Sequence, residues 1–531
     1  MNGTLTIADP AALEREADPS WLKWAILFSA SLGALLEIVD TSIVNVALNE
    51  MQASLGATLT EIGWVVTIYS IANVIMLPMT AWLGDRFGSK QYFIFSLVSF
   101  TAASVLCGVS QSLGMLIFAR FLQGLGGGGL LAKAQAILFK TFPKEQQAAA
   151  QAVFGMVVIA GPAIGPVIGG YIVTALNWRW IFFVNVPIGI VATMMCVAFL
   201  KHEDPTKEAL KAKVDWLGIA LLCFAVGCIQ TFLEQGQQND WFSSPFISAL
   251  GVGAVFGTFF LLWREFTVDN PIIDFRVLRH RSLAAGSVMG MVLGMGLYGA
   301  LFAVPIFCQA ILGFTAQQTG VVLAPSAVIA ILTFPVIAKL NGKIDARVLI
   351  SIGSLITILA MFMLQHISPQ TGTEDLFWPL LVRGVGTSFM FLPITLATLQ
   401  PIPKEDVSAA SGFFNLTRQL GGSIGIAILT TVLASRNAFH RNVLVEKLQA
   451  ASPDAAHRIS IFTGGFIAKG FDGVTAHRMA QQALDGLVSL QATVMSFGDI
   501  FHLVGIAFLL QMPFVLLLGS GKGAKMAPGG H

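Results

Sequence analysis

Charge is scarce in this chain. Asp, Glu, Lys and Arg make up 11% of its 531 residues and 55% are hydrophobic, where an ordinary soluble domain carries about 25% charge. So few charges cannot coat several soluble domains, so the chain must use lipid as part of its solvent. A basic excess is also lacking. Lys and Arg number 31 against 29 for Asp and Glu, a net charge of +2, which argues against a nucleic-acid partner because no surplus is left to neutralise phosphates. Cysteine is sparse: Cys107, Cys196, Cys223, Cys228 and Cys308 fall inside apolar stretches with no CxxC pair, suggesting neither a disulfide framework nor a zinc site. No GxxxxGK[ST] occurs, and GSGKG at 519–523 lacks the first glycine and a strand-to-helix setting. An ion gradient, rather than ATP or any cofactor, is therefore the expected energy source; one proton moving down 100 mV contributes about 2.3 kcal/mol. The eight His residues form no HExxH motif and no His/Asp cluster within a span. A membrane-embedded enzyme, the competing reading from another class, thus lacks a nucleophile with its base, or a metal cluster.

What the sequence does have is apolar length. Runs of about 20 residues fall near 24–48, 62–83, 91–110, 113–138, 149–174, 180–200, 214–234, 245–263, 283–312, 317–338, 347–366, 376–400, 406–434 and 493–518, fourteen in all. They predict an all-α membrane protein. The first run exceeds a signal-peptide core and has no small-residue cleavage site behind it, so it is expected to remain as an anchor. An even number of spans puts both termini on one side, and Lys and Arg decide which. Twenty of them, from Arg15 and Lys23 to Lys522 and Lys525, fall on the side of the termini. The other side has Arg179 in its short loops and six in 436–490, while Arg120, Lys133, Arg383 and Arg418 lie inside spans. Both termini are expected to be cytoplasmic.

The chain also repeats itself. PKEQQAAAQAVFGM at 143–156 matches PKEDVSAASGFFNL at 403–416, and the register continues through Gly161 and Gly165 against Gly421 and Gly425. Just upstream, Arg120 with QGLGGGG echoes Arg383 with GVG. Matching loop charges and glycines favour duplication over chance likeness of apolar helices. The offset pairs helices 4 and 5 with 12 and 13, giving two six-helix repeats, a transporter architecture, with helices 7 and 8 inserted between. The expected division is 1–200, 201–281 for linkers and inserted helices, 282–519 including an external segment 436–490, and a tail at 520–531.

Charges within a bilayer cost about 2.5–3.5 kcal/mol each even on the insertion scale, so they nominate working residues. Glu37, Asp40, Thr41 and Asn45 fall within about 140° on helix 1, a polar stripe that should face a water-filled cavity. Thr41 and Asn45 suit a satisfied packing face; two carboxylates three residues apart fit it poorly. Asp40 lies about two thirds of the way outward along helix 1, and Arg120 lies at the same level on the inward-running helix 4. An Arg approaching Asp40 favours the carboxylate, and its withdrawal leaves a desolvated group that prefers a proton; a permanent structural ion pair is the alternative. Glu37, nearer midplane, could meet a cationic ligand or act as a second proton site. Lys133 is expected to snorkel to the interface, and Glu234 and Asp499, near external helix ends, to be solvated. Arg383 could simply echo Arg120, and Arg418 near midplane has no evident partner. With Gln123 and Asn415, these two Arg residues are candidate cavity-lining groups.

Two glycine-rich signals complete the picture. GDRFGSK joins helices 2 and 3, and its Gly84, Asp85, Arg86, Gly88 and Lys90 suit a tight turn whose charges pair with helix ends in one of two conformations, a latch. On helix 5, Gly161, Gly165 and Gly169 recur every fourth residue, with Pro162, Pro166 and Gly170 among them, which allows close helix approach and a bend.

These segments resemble those of a known family. GDRFGSK at 84–90 and RFLQG at 120–124 look like signatures of the major facilitator superfamily, and GPAIGPVIGG at 161–170 resembles the antiporter signature of its drug exporters. EIVDTSIVNVAL at 37–48, WRWIFFVNVPIGI at 178–190 and NLTRQLGGSIGIAI at 415–428 are similar to the fourteen-helix drug:proton antiporters of the EmrB/QacA type. The resemblance spans about 24–434. It implies proton-driven export of amphipathic, often cationic compounds across a bacterial inner membrane, with Asp40 and Arg120 at the proton-coupling positions. Glu37 and Lys133 depart from it, standing where uncharged residues are expected. It further implies that 436–490 faces a periplasmic adaptor (EmrA-like) and, through it, an outer-membrane channel. The runner-up is export of a dedicated metabolite, siderophore or lipid-like molecule. On the antiport reading, Glu37 and Asp40 take protons from outside, the substrate leaves outward, and deprotonation towards the cytoplasm resets the site while the halves rock.

Overall fold

The structure, a computed structural model, describes residues 20–202, 213–448 and 453–518. The tail 520–531, the GSGKG run, residues 1–19 and most of the linker before helix 7 lie outside the described residues. Those described fold into helices α1 (Ser20–Leu55), α2 (Leu59–Phe87), α3 (Ser89–Gly108), α4 (Leu113–Thr141), α5 (Lys144–Ala175), α6 (Trp180–Phe199), α7 (Trp216–Gln235), α8 (Pro245–Thr267), α9 (Arg281–Ile311), α10 (Ala316–Leu340), α11 (Ala346–Leu364), α12 (Thr373–Leu399), α13 (Val407–Lys447), α14 (Pro453–Ala468) and α15 (Gly473–Gln511). All but α14 are long and apolar enough to cross a bilayer, which gives fourteen candidate spans as the hydropathy predicts.

The pairing of helices repeats. α1 packs on α5 as α9 packs on α13, α2 on α4 as α10 on α12, and α3 on α4 as α11 on α12. Two like bundles follow, touching through α5 with α10, α2 with α13, and α4 with α13. α7 wedges between α2 and α13, whereas α8 packs mainly on α7 and turns Val255, Phe259 and Trp263 outward. Between helices in lipid there is no hydrophobic driving force, so close packing at small residues does the work. The helix-5 stripe is such a place: Gly161, Gly165 and Gly169 seat on Ile38, Ser42 and Ile43 of α1.

Local chemistry sets the ends. Thr58 and Glu61 form a capping box before α2, and Ser112 accepts the N–H of Met115 at the start of α4, so donors that the helix itself leaves open are satisfied. Gly88, at φ +88°, closes α2 and opens α3 in a conformation that L side chains rarely adopt.

The external segment differs from its expected form. α13 continues to Lys447 and the last span begins at Gly473, well before residue 493. Hydropathy marks where lipid ends, but a helix persists into water as long as its outward residues are polar. Residues 436–447 and 473–490 of the external segment are therefore extensions of the spans, and α14 is an additional helix packed on α15. Asp499 is not free in solvent either: it pairs with Arg436 and with His440, whose Nε2 lies at 2.8 Å, and so ties α15 to α13.

Candidate functional site

Helix 4 breaks where its glycines cluster. Its first part ends at Gly127 and a second begins at Leu130. The run also lets α4 approach its neighbours: a Cβ on Gly128 would lie 2.6 Å from Asn73 Cα on α2. The outcome is a half-helix, 130–141, whose N-terminal N–H groups open inside the bundle.

Glu37 faces that terminus. Leu131 N–H donates to Glu37 Oε2 at 2.8 Å and Asn73 Nδ2 donates to Oε1 at 2.9 Å, so the carboxylate meets the positive end of the half-helix dipole. These two donors give the Glu37 carboxylate partners at a position where the resemblance leads to an uncharged residue.

One turn along α1, Asp40 is sealed. It is 0% exposed and Arg120 1%, and Arg120 NH1 donates to Asp40 Oδ2 at 2.6 Å. The depth arithmetic along helices 1 and 4 set these two level, and they meet. Arg120 is held from three sides: its Nε donates to Val65 O at 3.1 Å, NH1 also to Gln123 Oε1 at 2.6 Å, and its Cζ lies 4.0 Å from the Tyr69 ring centroid. Gln123 Nε2 donates to Asp40 Oδ1 at 2.8 Å and to Ser104 Oγ at 2.7 Å, and Asn185 Nδ2 donates to Oδ1 at 2.9 Å. The donors to this carboxylate thus come from α4 and α6, and α2 and α3 join through Arg120 and Gln123.

The sequence reading singled out Gln123 but missed Asn185, Asn73 and Ser104. Uncharged buried amides and hydroxyls are too common in spans to stand out by type alone. Asn185 lay within a quoted motif, WRWIFFVNVPIGI, and that was the available signal. Thr41 and Asn45 instead serve their own helix, donating to Glu37 O and Thr41 O.

A second polar chain crosses between the bundles. Ser411 Oγ donates to Ala132 O at 2.8 Å, and Asn415 Nδ2 donates to Gln135 Oε1 at 2.7 Å, both on the half-helix that Glu37 caps. Arg418, expected to be without a partner, donates from NH2 to Asn415 Oδ1 at 2.7 Å. Gln400 Nε2 adds a bond to Lys144 O at 3.0 Å. The face with the Lys- and Arg-rich connections is therefore closed. Arg383 has no carboxylate beside it among the described residues; its NH2 donates to Ser326 Oγ at 3.2 Å.

The expected turn over 84–90 shrinks to Gly88, since α2 runs to Phe87 and α3 starts at Ser89; Lys90, in the first turn of α3, donates from Nζ to Val197 O and Leu200 O at 2.7 and 2.6 Å, capping the end of α6. Arg86 lies 5.7 Å over the Trp82 ring. Lys133 does not snorkel. It is buried, its amine packed on the Gly84 turn, because a residue on the half-helix faces α2 rather than the interface. Glu234 also departs from its expected solvated state: Gln230 Nε2 donates to it at 2.6 Å while reaching Ser70 Oγ at 3.2 Å and Ser423 Oγ at 2.7 Å. α7 is thereby fastened to both bundles.

With this geometry in hand, the chain can be set beside known proteins. It is 34% identical over 496 residues to the multidrug export protein EmrB of Escherichia coli K12, covering 93% of this chain and 95% of that one. It is 30% identical over 497 residues to the fatty acid resistance protein FarB of Neisseria gonorrhoeae, covering 93% and 96%. Its fold resembles that of the human organic anion transporter TETRAN, with a TM-score of 0.58 at 12% identity over 94% of this chain and 100% of that one. The profile of the Major Facilitator Superfamily matches residues 30–426, and the chain is a multi-pass membrane transporter that belongs to that superfamily.

Proposed function

We propose that this chain is a proton-driven antiporter that exports amphipathic, drug-like compounds across a bacterial inner membrane, with both termini in the cytoplasm. The observation that carries the reading is the juxtaposition of the sealed Asp40–Arg120 pair with Glu37, whose carboxylate caps the half-helix holding the other bundle. Names of relatives, multidrug export protein and fatty acid resistance protein, support substrates of this kind.

The mechanism follows from which bonds a proton removes. In the closed state Asp40 meets Arg120 and Glu37 meets the Leu131 N–H. A proton arriving from outside on Glu37 weakens its hold on the half-helix. A proton on Asp40 releases Arg120 from its ion pair. The half-helix then gives up Ser411 and Asn415, and the cytoplasmic face opens. Loss of the protons inside, and entry of substrate, restore the grip. The bundles 1–200 and 282–519 rock, the 84–90 loop latches the outward-facing state through Lys90 on α6, and the close seat of Gly161, Gly165 and Gly169 on α1 favours antiport by letting α5 move with the acid-bearing helix. No cofactor enters; the proton gradient supplies the energy. The extension of α13 and α15 serves as the seat of a periplasmic adaptor leading to an outer-membrane channel.

Everted vesicles test the reading. Substrate added to energised vesicles of the wild type should release protons, and Asp40→Asn should not. Undiminished release from Asp40→Asn would remove Asp40 from the coupling. A resistance panel with and without an uncoupler tests the energy source directly.

A further inference from the structure

Arg120 and Arg383 each stand on the fourth helix of their bundle, but in opposite surroundings. Arg120 has Asp40, Val65 O and Gln123. Arg383 has Ser326 Oγ, and its Nε is buried without a hydrogen-bond partner. Helices α9, α10 and α11 contain no Asp or Glu, so Arg383 finds no counterpart of Asp40 on them.

Arg383 borders a cavity of about 50 Å³ between the two bundles. Its walls include Pro162 and Ala163 of α5, Leu297 of α9, Leu323 of α10 and Phe508 of α15, and no carboxylate lines it. One water needs about 10–15 Å³ by this measure, so the space takes a carboxylate with its first few methylenes. A cation would meet an uncompensated positive charge there. A planar fork of N–H donors matches a carboxylate two-on-two.

We propose that Arg383 with Ser326 is the head-group subsite for a carboxylate amphiphile, whose carboxylate and first methylenes fill the cavity walled by α5, α9, α10 and α15. The inference rests on the reading of the chain as an exporter of amphipathic compounds and narrows its substrates to anions at this subsite. Because Pro162 and Ala163 belong to the stretch of α5 whose glycines seat on α1, the ligand touches the helix that packs against the one bearing Glu37 and Asp40.

The test is binding without a proton gradient, which separates it from the antiport reading. Full-length protein in phosphatidylcholine nanodiscs is titrated with radiolabelled dodecanoate and, separately, with dodecyltrimethylammonium, which has the same tail and the opposite head. The wild type should bind dodecanoate at least tenfold tighter. Arg383→Gln should lose at least tenfold for dodecanoate and nothing for the cation. Thr387→Glu, which sets a carboxylate in the same cavity one turn from Arg383, should likewise abolish dodecanoate binding, and Arg383→Lys should retain part of it if the Gln variant fails to fold. Unchanged dodecanoate affinity in Arg383→Gln, or equal loss of both ligands, would overturn the proposal. So would a tenfold, Arg383-dependent loss of dodecanoate when phosphatidylglycerol is added, which assigns the subsite to a lipid head group. Dodecanoate binding that depends on Arg383 in a protein without proton-coupled export would keep the subsite and refute the antiport.

Discussion

Glu37 and Leu131, separated by 94 residues in sequence, are joined by one hydrogen bond of 2.8 Å from the Leu131 N–H to the Glu37 carboxylate. Through the half-helix 130–141 the same carboxylate is connected to Gln135, and through Gln135 to Asn415 of the other bundle. The electrostatic surroundings of Glu37 include Asp40 and Arg418, and extend to Tyr69, Tyr92 and Tyr298 on α2, α3 and α9.

Glu37→Gln keeps an acceptor for Leu131 but gives up the charge, worth about 0.3–1 kcal/mol at a helix N-terminus and up to ~2 when partly buried. The variant should fold and reach the membrane, and its transport rate should respond less to external pH than the wild type does. Rates measured over a pH series check this. A wild-type profile in Glu37→Gln would take the proton-sensing role from this residue.

Removing one partner of a buried ion pair leaves an uncompensated charge, at a cost of about 3–5 kcal/mol. Asp40→Ala should therefore lower the thermal midpoint of the purified protein markedly. Asp40→Asn combined with Arg120→Gln should recover most of that loss and restore no transport. Comparing unfolding midpoints with vesicle transport for the single and double variants separates stability from coupling.

Gly165 faces Ser42: a Cβ there would overlap Ser42 Oγ and lie 2.8 Å from Ser42 Cβ and 3.1 Å from Ile43 N. Gly165→Ala should push α5 from α1 and cut transport at least tenfold with the protein still in the membrane. Ser42→Gly in the same chain clears the space and should restore a large part of the rate. Failure of that rescue would show that the glycine matters for something other than the α1 contact.

Gln135→Cys with Asn415→Cys places two thiols across the closed face. Oxidation should arrest transport and reduction should restore it, because opening separates these residues. Full activity of a quantitatively cross-linked protein would exclude rocking at this contact.

Asp215 caps α7 by accepting the Gly218 N–H, and it pairs with Arg264 at 3.0 Å. Burial alone raises its carboxyl, but the Arg264 contacts and backbone donors outweigh this and hold it below the ordinary carboxylate value. A depressed carboxyl contributes stability above its unfolded value of about 4, lost as pH falls through the folded value. The midpoint difference between wild type and Asp215→Asn should be largest near neutral pH and shrink on acidification below about 4.

Much of this was legible in the sequence, for physical reasons. Spans show because lipid demands long apolar runs, and the level of Asp40 and Arg120 follows from fixed rise per residue and opposed helix directions. Other features depend on facts that type and spacing do not carry. Whether Lys133 turns to the interface or to Gly84 is a matter of helix rotation about a break, and the glycine run that makes the break can equally serve close packing. Asn185 and Asn73 are single amides among apolar neighbours, and only their convergence on a carboxylate gives them meaning. The extension of α13 was hidden because hydropathy falls at the membrane edge although the backbone hydrogen bonding does not.

That extension has a mechanical consequence. α13 runs unbroken over 41 residues, from the bonds of Ser411 and Asn415 to Lys447, about 60 Å at 1.5 Å per residue. A tilt of about 10° at the near end sweeps the far tip through roughly 10 Å on this length. If the bundles rock as proposed, a helix without a joint carries that stroke undiminished to whatever rests on its tip.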